Sequence, residues 1–551
     1  MPVTTSYPGI YIQELPSSVH TITAAPTNIA VFIGYTHPLK TSSAIVGIPQ
    51  QIFGFTDFQR AFGGFLRSTV YANDAAKFGD MAVAVNQFFL NGGTEAYVVG
   101  LLPSDAGTIK APTLGSSPSG IYGTVVFAAR EVTDSTYQMS ILVTPNGGTT
   151  GTADVVVTYG PNLQTNAGGA LQPGTVVETY RRVSLTPKAA DGTPDPNFIE
   201  TRIGTATNPV SSLVTVSAAP SGTTPAWPGT FPSTAEYFAS LFTTPPSTLF
   251  TASDYTNVMA QDTALDKLDL FNLMILPGVT DTTTLSTALA FCERKLAFLV
   301  MDPPQNATAD SSNNSTTPIA GSIGTVPKSA NAALYFPYLL SPDPLTGSAT
   351  NPVTGKANEI PPAATVAGIY ATTDLARGVW KAPAGFQATT NNTTGVVTRG
   401  QMTDLRQGVL NPLGINCLRD FPNIGTAVFG ARTLVTLTDQ QWRYVPVRRM
   451  ALFLEQSLRA SLTWVVFEPN ADPLWSAIRI SINAFMLGLF NQGAFQGITP
   501  SDAFQVKCDS QTTTQTDIDN GVVNIVIAFA PLLPAEFVVI SIAQLAGQST
   551  T

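Results

Sequence analysis

Both ends of this chain read as extended apolar segments that need a partner. The last third, residues 399–543, reads as a small folded body ending in two bare strands, Val522–Ala530 and Ala535–Ala543, split by Pro531-Leu532-Leu533-Pro534. The other end opens as an apolar arm, Tyr7-Pro8-Gly9-Ile10-Tyr11-Ile12-Gln13-Glu14-Leu15-Pro16, whose prolines and glycine keep it extended. A strand without a neighbour presents unpaired N–H and C=O groups. A polymer that passes tails between copies would pair them. The pattern points to a structural assembly protein rather than an enzyme.

The bulk figures agree with that direction. At 551 residues the chain is too long for one core and is expected to hold three or four domains. Charged residues are only 11%, so copies repel each other weakly and can pack densely. The net charge of −9 argues against a nucleic-acid binder. The charge is uneven: residues 399–479 carry nine Arg and six acids, net +3, so the rest carries −12. That local excess is either an electrostatic contact surface or arginine paired within the fold. Cys292, Cys417 and Cys508 are scattered and odd in number, which reads as buried free thiols. No basic-then-apolar leader opens the chain, so no signal peptide is expected. Val522–Gly547 is apolar enough to raise a membrane span, but its prolines, Asn524 and β-branched content favour paired strands, so no membrane insertion is expected.

Along the chain, Asn28–Tyr35 is a near-continuous apolar run that suits a buried strand, Ser68–Leu90 has helical spacing closed by Asn91-Gly92-Gly93, and Glu95–Leu101 is a second buried strand. Between Ser104 and Thr234, alternating β-branched segments recur at Thr124–Ala128, Gln138–Val143, Asp154–Tyr159, Thr175–Tyr180 and Leu213–Ser217, divided by Gly-rich turns; this is a β-rich insertion. The core resumes with strands at Leu270–Leu276 and Ala297–Met301 around a helix over Thr284–Arg294. Asn306–Thr317 and Leu345–Asn358 are polar connections. Two helices follow. Val447–Leu462 sets Met450, Phe453, Leu454 and Leu458 on one face and Arg448, Glu455 and Arg459 on another, with Glu455 four residues before Arg459. In the second, Asp472 reads as N-cap and Pro473 as first residue, Leu474, Ile478, Ile482, Phe485 and Leu489 form the stripe, and Gly493 ends it. The expected fold is a multi-domain α/β (α+β) chain: a linker arm over 1–25, a mixed-sheet core in two parts over 26–103 and 236–345, an inserted β-rich domain over 104–235, a C-terminal domain over 346–521 and a C-terminal arm over 522–551.

Chemistry is poorly supplied. His20 and His37 are the only histidines, too few for a metal cluster or a Ser/His/Asp triad. There is no HExxH, no CxxC pair, and the nearest approach to a phosphate loop, Gly355-Lys356-Ala357, fails in residue and spacing. No cofactor and no enzymatic activity are expected.

The chain resembles the contractile tail sheath family of contractile phage tails, phage-tail-like bacteriocins and extracellular contractile injection systems. Residues that carry the resemblance are Tyr7–Glu14, Ala30–Gly34, Leu276-Pro277-Gly278, Met301-Asp302-Pro303-Pro304, Ala332–Tyr338, Pro361-Pro362 with Ala367–Tyr370, and Asp374–Ala384. Further matches are Asn411–Asn416, Gly430–Leu434, Tyr444–Arg449, Phe467-Glu468-Pro469-Asn470 and Pro534–Phe537. The β insertion is similar to an outward-facing domain of the family. Phe429 stands where Trp is commoner and Pro446 where Asn is common.

The resemblance implies subunits stacked as six-membered rings around an inner tube, a metastable extended state, and contraction that drives the tube through a target envelope. It implies that Tyr7, Ile10, Tyr11 and Ile12 at one end, and Val523, Ile525, Ile527, Phe529, Phe537 and Val539 at the other, exchange strands between copies. Arg448, Arg449 and Arg459 are candidate inner-tube contacts, while Arg432 reads as structural. Implied partners are further copies, an inner tube protein, and baseplate and terminator proteins, in a particle assembled in the cytoplasm that is either a phage tail or a released injection system. Two other readings stay open: a non-contracting or baseplate-proximal ring subunit, and a surface glycan-binding module in the β insertion.

Overall fold

The computed structural model describes residues 20–66, 78–102, 111–115, 121–146, 151–166, 169–188, 191–219, 224–241, 251–309, 319–322, 324–350, 357–435 and 437–541. They fall into two compact units, one drawn from Thr27–Ala376 and Ala382–Val445, the other from Met1–Pro26, Arg377–Lys381 and Pro446–Thr551.

The larger unit is built on a mixed eight-stranded sheet, as the expected fold class requires. Ile29–Tyr35 is an interior strand, parallel to Glu95–Leu101 on one side and to Leu273–Ile275 on the other. The sheet continues in parallel through Phe298–Met301, Ala332–Phe336 and Ile415–Phe421. Short antiparallel strands, Gln50–Ile52 and Gly425–Val428, close its two edges. Ile29–Tyr35 is buried at every position, because a parallel strand covered on both faces has no polar side to show. Helix Thr282–Lys295 makes the crossover that a parallel pair needs. Asp281 opens it by accepting from the Thr284 N–H at 2.8 Å. Helix Phe78–Leu90 covers the first strands and ends where Gly92 takes a φ of +102°. The Ser68 start expected for that helix lies outside the described residues.

Several of the sequence runs quoted above hold this sheet together. Asp302, buried just past the end of Phe298–Met301, accepts from the Gly278 N–H at 2.9 Å and from the Ala363 N–H at 2.7 Å. One carboxylate thereby ties Leu276-Pro277-Gly278 to the start of helix Ala363–Arg377. Asn416 donates to the carbonyls of Leu334 and Arg432 and accepts from the Arg432 N–H. The buried Arg432 guanidinium reaches the Asn411 carbonyl at 3.1 Å. Arg432 is therefore structural. Phe429, in the place of the commoner Trp, packs on Phe421 at 5.0 Å beneath the Arg419 guanidinium.

Between Leu101 and Ala252 the chain forms a small β body with its own core. One antiparallel sheet has four strands, in the order Glu236–Tyr237, Tyr137–Pro145, Ala153–Pro161, Val176–Val183. A second has Thr113–Leu114, Val126–Ala129 and Val214–Ser217. Inward positions alternate along the strands, as in Met139, Ile141 and Val143 against Val155, Val157 and Tyr159, all buried. The insertion is rooted on the core by a buried ionic cluster. Glu131 accepts from His37 Nε2 at 3.1 Å and from the Lys40 ammonium. His37 Nδ1 accepts from the Leu39 N–H, so Nε2 carries the proton that faces Glu131.

The smaller unit packs two helices, Val445–Ser461 and Asp472–Asn491, against a two-stranded sheet of Phe504–Lys507 and Val526–Phe529. Pro446 sits in the first turn of its helix, where the missing N–H has no partner to lose. Met450, Phe453 and Leu454 are buried as their spacing predicts. Two local expectations change. The N-cap of the second helix is Ala471, and Asp472 lies inside the first turn with Pro473. Glu455 pairs with Arg448 at 3.3 Å, two turns back, and not with Arg459. Helix Asp472–Asn491 is long and apolar enough to cross a membrane by composition, but its stripe of Leu474, Ile478, Ile482 and Leu489 is buried in this core. Cys292, Cys417 and Cys508 are buried free thiols.

Candidate assembly surface

The smaller unit gathers the roots of both tails. From His20 to Pro26 the chain runs along the end of helix Val445–Ser461. Ser461 and Ser457, one turn apart on that helix, accept from the backbone N–H groups of Thr23 at 3.1 Å and Ala25 at 2.9 Å. Ile22, just before Thr23, is buried in the core. His20 stacks on Trp464, with ring centroids 3.9 Å apart and planes 13° from parallel. The arm residues read as exchange contacts, Tyr7, Ile10, Tyr11 and Ile12, lie outside the described residues.

At the other tail, Val526–Phe529 pairs antiparallel with Phe504–Lys507 of the same chain. Ile527 and Phe529 thus face Val506 and Phe504, and all four pack on the core, as do Val523 and Ile525. The strand is shorter than the expected Val522–Ala530 because a strand extends only as far as its partner, and that partner ends at Lys507. The sheet has two strands among the described residues. Past Pro531 the described chain, to Ser541, has no assigned helix or strand, where the sequence suggested Ala535–Ala543. Phe537, Val538, Val539 and Ile540 are consecutive, apolar and 74–88% exposed. A run of that kind is costly to leave in water, at about 25 cal/mol for each Å² of apolar surface.

Asn470 links the two regions. Its Nδ2 donates to the Val522 carbonyl at 2.9 Å, and its Oδ1 accepts from the Trp475 indole at 2.8 Å. The loop that leads to Asn470 carries Phe467 fully exposed at a φ of +72°, a left-handed backbone that costs an aromatic residue about 1–3 kcal/mol. Val466 beside it is also exposed. The indole N–H of Trp464 is buried with no hydrogen-bond partner among the described residues.

The three arginines read as tube contacts fare differently. Arg449 is buried, and Arg448 is 17% exposed and bound to Glu455. Arg459 is exposed on the last turn of its helix. Several arginines of 399–479 are engaged within the fold: Arg399 with Glu359, Arg419 with Asp404, Arg479 with the Cys508 carbonyl. Other shifted groups here are local. The Thr514 hydroxyl and N–H hold the Asp517 carboxyl below its usual range, and burial pushes the Cys508 thiol up and the Lys381 ammonium down.

Comparison with known proteins fixes the family. The model of the phage tail sheath protein central domain matches residues 250–434, and that of the phage tail sheath C-terminal domain matches residues 438–544, together more than half of the chain. The chain belongs to the phage tail sheath family. A protein of Pseudomonas aeruginosa (strain UCBPP-PA14) described as a prophage major tail sheath protein is 28% identical over 284 residues, which are 49% of this sheath chain and 65% of that protein, just under two thirds of its length. Among solved structures, the PVC sheath complex of an extracellular contractile injection system, in its contracted state, aligns with a TM-score of 0.56 at 21% identity over 98% of this chain and 99% of that one. The helical sheath of the anti-feeding prophage, also contracted, aligns with a TM-score of 0.56 at 21% identity over 98% and 100%. At those identities the likeness is one of fold.

Sequence reasoning reached the tails and the tail-adjacent helices but missed the junction between them. Phe467-Glu468-Pro469-Asn470 was visible as a run. Its strained backbone and the reach of Asn470 to Val522, 52 residues on, were not.

Proposed function

We propose that this sheath protein is the structural subunit of a contractile sheath, polymerised as stacked six-membered rings around an inner tube and shortening from a metastable extended state. The observation that carries the proposal is the exposed apolar run Phe537–Ile540, which follows a two-stranded sheet in the same unit. Backbone groups of such a tail gain partners by adding to a neighbour's sheet edge, with no specific side chain required. Phe537 and Val539 are donor positions in this scheme, Ile527 and Phe529 belong to the strand that offers the acceptor edge, and the first arm, with Tyr7, Ile10, Tyr11 and Ile12, supplies a second donor. Strands held by backbone hydrogen bonds tether subunits while their bodies rotate between two packings. The β insertion would face outward and Arg459 toward the tube. The baseplate and a terminator would bound the polymer, in a phage tail or a released injection particle.

Electron microscopy of the purified protein, alone and with an inner tube protein, tests this. Long ridged cylinders are expected from the full chain. Deleting residues 1–19, which spares the buried Ile22 and the Thr23 anchor, should leave a folded monomer without long polymers. Unchanged cylinders from that truncation would count against strand exchange, and no cylinders from the full chain under either condition would remove the sheath role.

A further inference from the structure

We infer that the loop from Thr463 to Asn470 is a contact between copies of this chain, with Phe467 seated in an apolar pocket of a second copy. The inference rests on the strand-exchange reading above and adds to it the place where copies lock. Both tails are anchored on this one loop. On one side Trp464 carries His20 and the neighbouring Ser461 holds Thr23, so the first arm leaves the fold here. On the other side Asn470 holds the Val522 carbonyl, where the last arm begins. If tails pass between copies, the surface between their roots is where a neighbour arrives.

The loop is also built as a rigid knob. The Glu468 N–H returns to the Val465 carbonyl at 3.2 Å, Pro469 follows, and Asn470 is fastened at both ends of its amide. At the tip Phe467 is fully exposed on a left-handed backbone that an aromatic residue rarely adopts, with Val466 exposed beside it. That conformation closes the tight turn from Val465 to Glu468, and it leaves the Phe467 ring fully exposed. A preorganised aromatic side chain is, however, what a small apolar pocket binds well, since little freedom is lost on docking. The occupant is a second copy rather than a charged surface, because the tip is apolar and this chain carries only 11% charged residues.

Two variants test the contact. In the first, a photoactivatable benzophenone side chain replaces Phe467 in an equal mixture of ¹⁴N- and ¹⁵N-labelled protein, polymerised and irradiated. Cross-linked peptides of mixed label, joining residue 467 to another copy, are expected; cross-links confined to the same chain or to the inner tube protein would overturn the inference. In the second, Phe467→Gly relieves the backbone and removes the ring. It should melt no lower than the native protein and yield at least tenfold less polymer at equal concentration. Native-like polymer from Phe467→Gly overturns the knob while leaving the sheath reading intact. Failure of the unmodified chain to polymerise overturns both.

Discussion

The Asn470 amide lies 2.9 Å from the carbonyl oxygen of Val522 and joins the loop between two helices to the root of the last tail. The same side chain accepts from the buried Trp475 indole. Asn470→Ala should cost about 2 kcal/mol in chemical denaturation, since a buried indole N–H loses its acceptor. Amide exchange should rise around Val522 and Val523. Protection equal to the native protein there would show that the tail root is held by something else.

Asp302 accepts from two backbone N–H groups in the larger unit, Gly278 and Ala363, and is itself buried. Asp302→Ala strands both donors and should cost roughly 3 kcal/mol or more. A urea midpoint within error of the native value would refute the tie.

The cluster at the root of the β insertion gives a pH dependence of known sign. Burial alone would push the Glu131 carboxyl up, but the Lys40 ammonium and the His37 hydrogen bond override it and hold it at about 2. Burial pushes the His37 imidazole below its ordinary 6.5, against the pull of Glu131 and with small help from Lys40 and Arg130. Both folded values lie below the unfolded ones, so the unfolded chain binds more protons as the solution is acidified. The stabilisation is complete above pH 6.5, begins to fall there through His37, and falls further below about 4.5 as Glu131 contributes. Denaturation midpoints from pH 8 to 4 should decline, and His37→Gln should flatten the part between pH 7 and 5.

Gly378 has a φ of +86°, and a Cβ there would meet the Trp380 ring at 2.4 Å. Trp380 packs on the core of the smaller unit and Val379 is buried in it. Gly378→Ala should lose about 2 kcal/mol or more, from the left-handed backbone and the displaced indole together. Calorimetry of the full chain checks it, and an unchanged melting profile would contradict the geometry.

Arg459 is the exposed member of the proposed tube-facing set. Arg459→Glu should leave the melting temperature within a degree or two and weaken co-sedimentation with inner tubes by about 1 kcal/mol, roughly fivefold, more so at low salt. Arg449→Glu should instead unfold the protein, because its guanidinium is enclosed. Tube binding unaffected by Arg459→Glu would remove that residue from the contact.

Hydrophobic period and turn residues sufficed to read the mixed-sheet core, the β-rich insertion and the two C-terminal helices. Ile29–Tyr35 and Glu95–Leu101 are apolar enough to be recognised as buried strands, because burial on both faces leaves its mark on nearly every residue. The apolar character of both ends, and through the quoted runs the family itself, were equally legible. What only the tertiary structure decided are relations between residues far apart in sequence. The extent of Val526–Phe529 depends on a partner strand, the fate of Arg449 on which helix face is enclosed, and the pairing of Glu455 on rotamers rather than spacing. The meeting of His20, Phe467, Asn470 and Val522 around one loop has no periodic signature, since such contacts arise when separate segments fold onto one core and each pair of distant residues is brought together once.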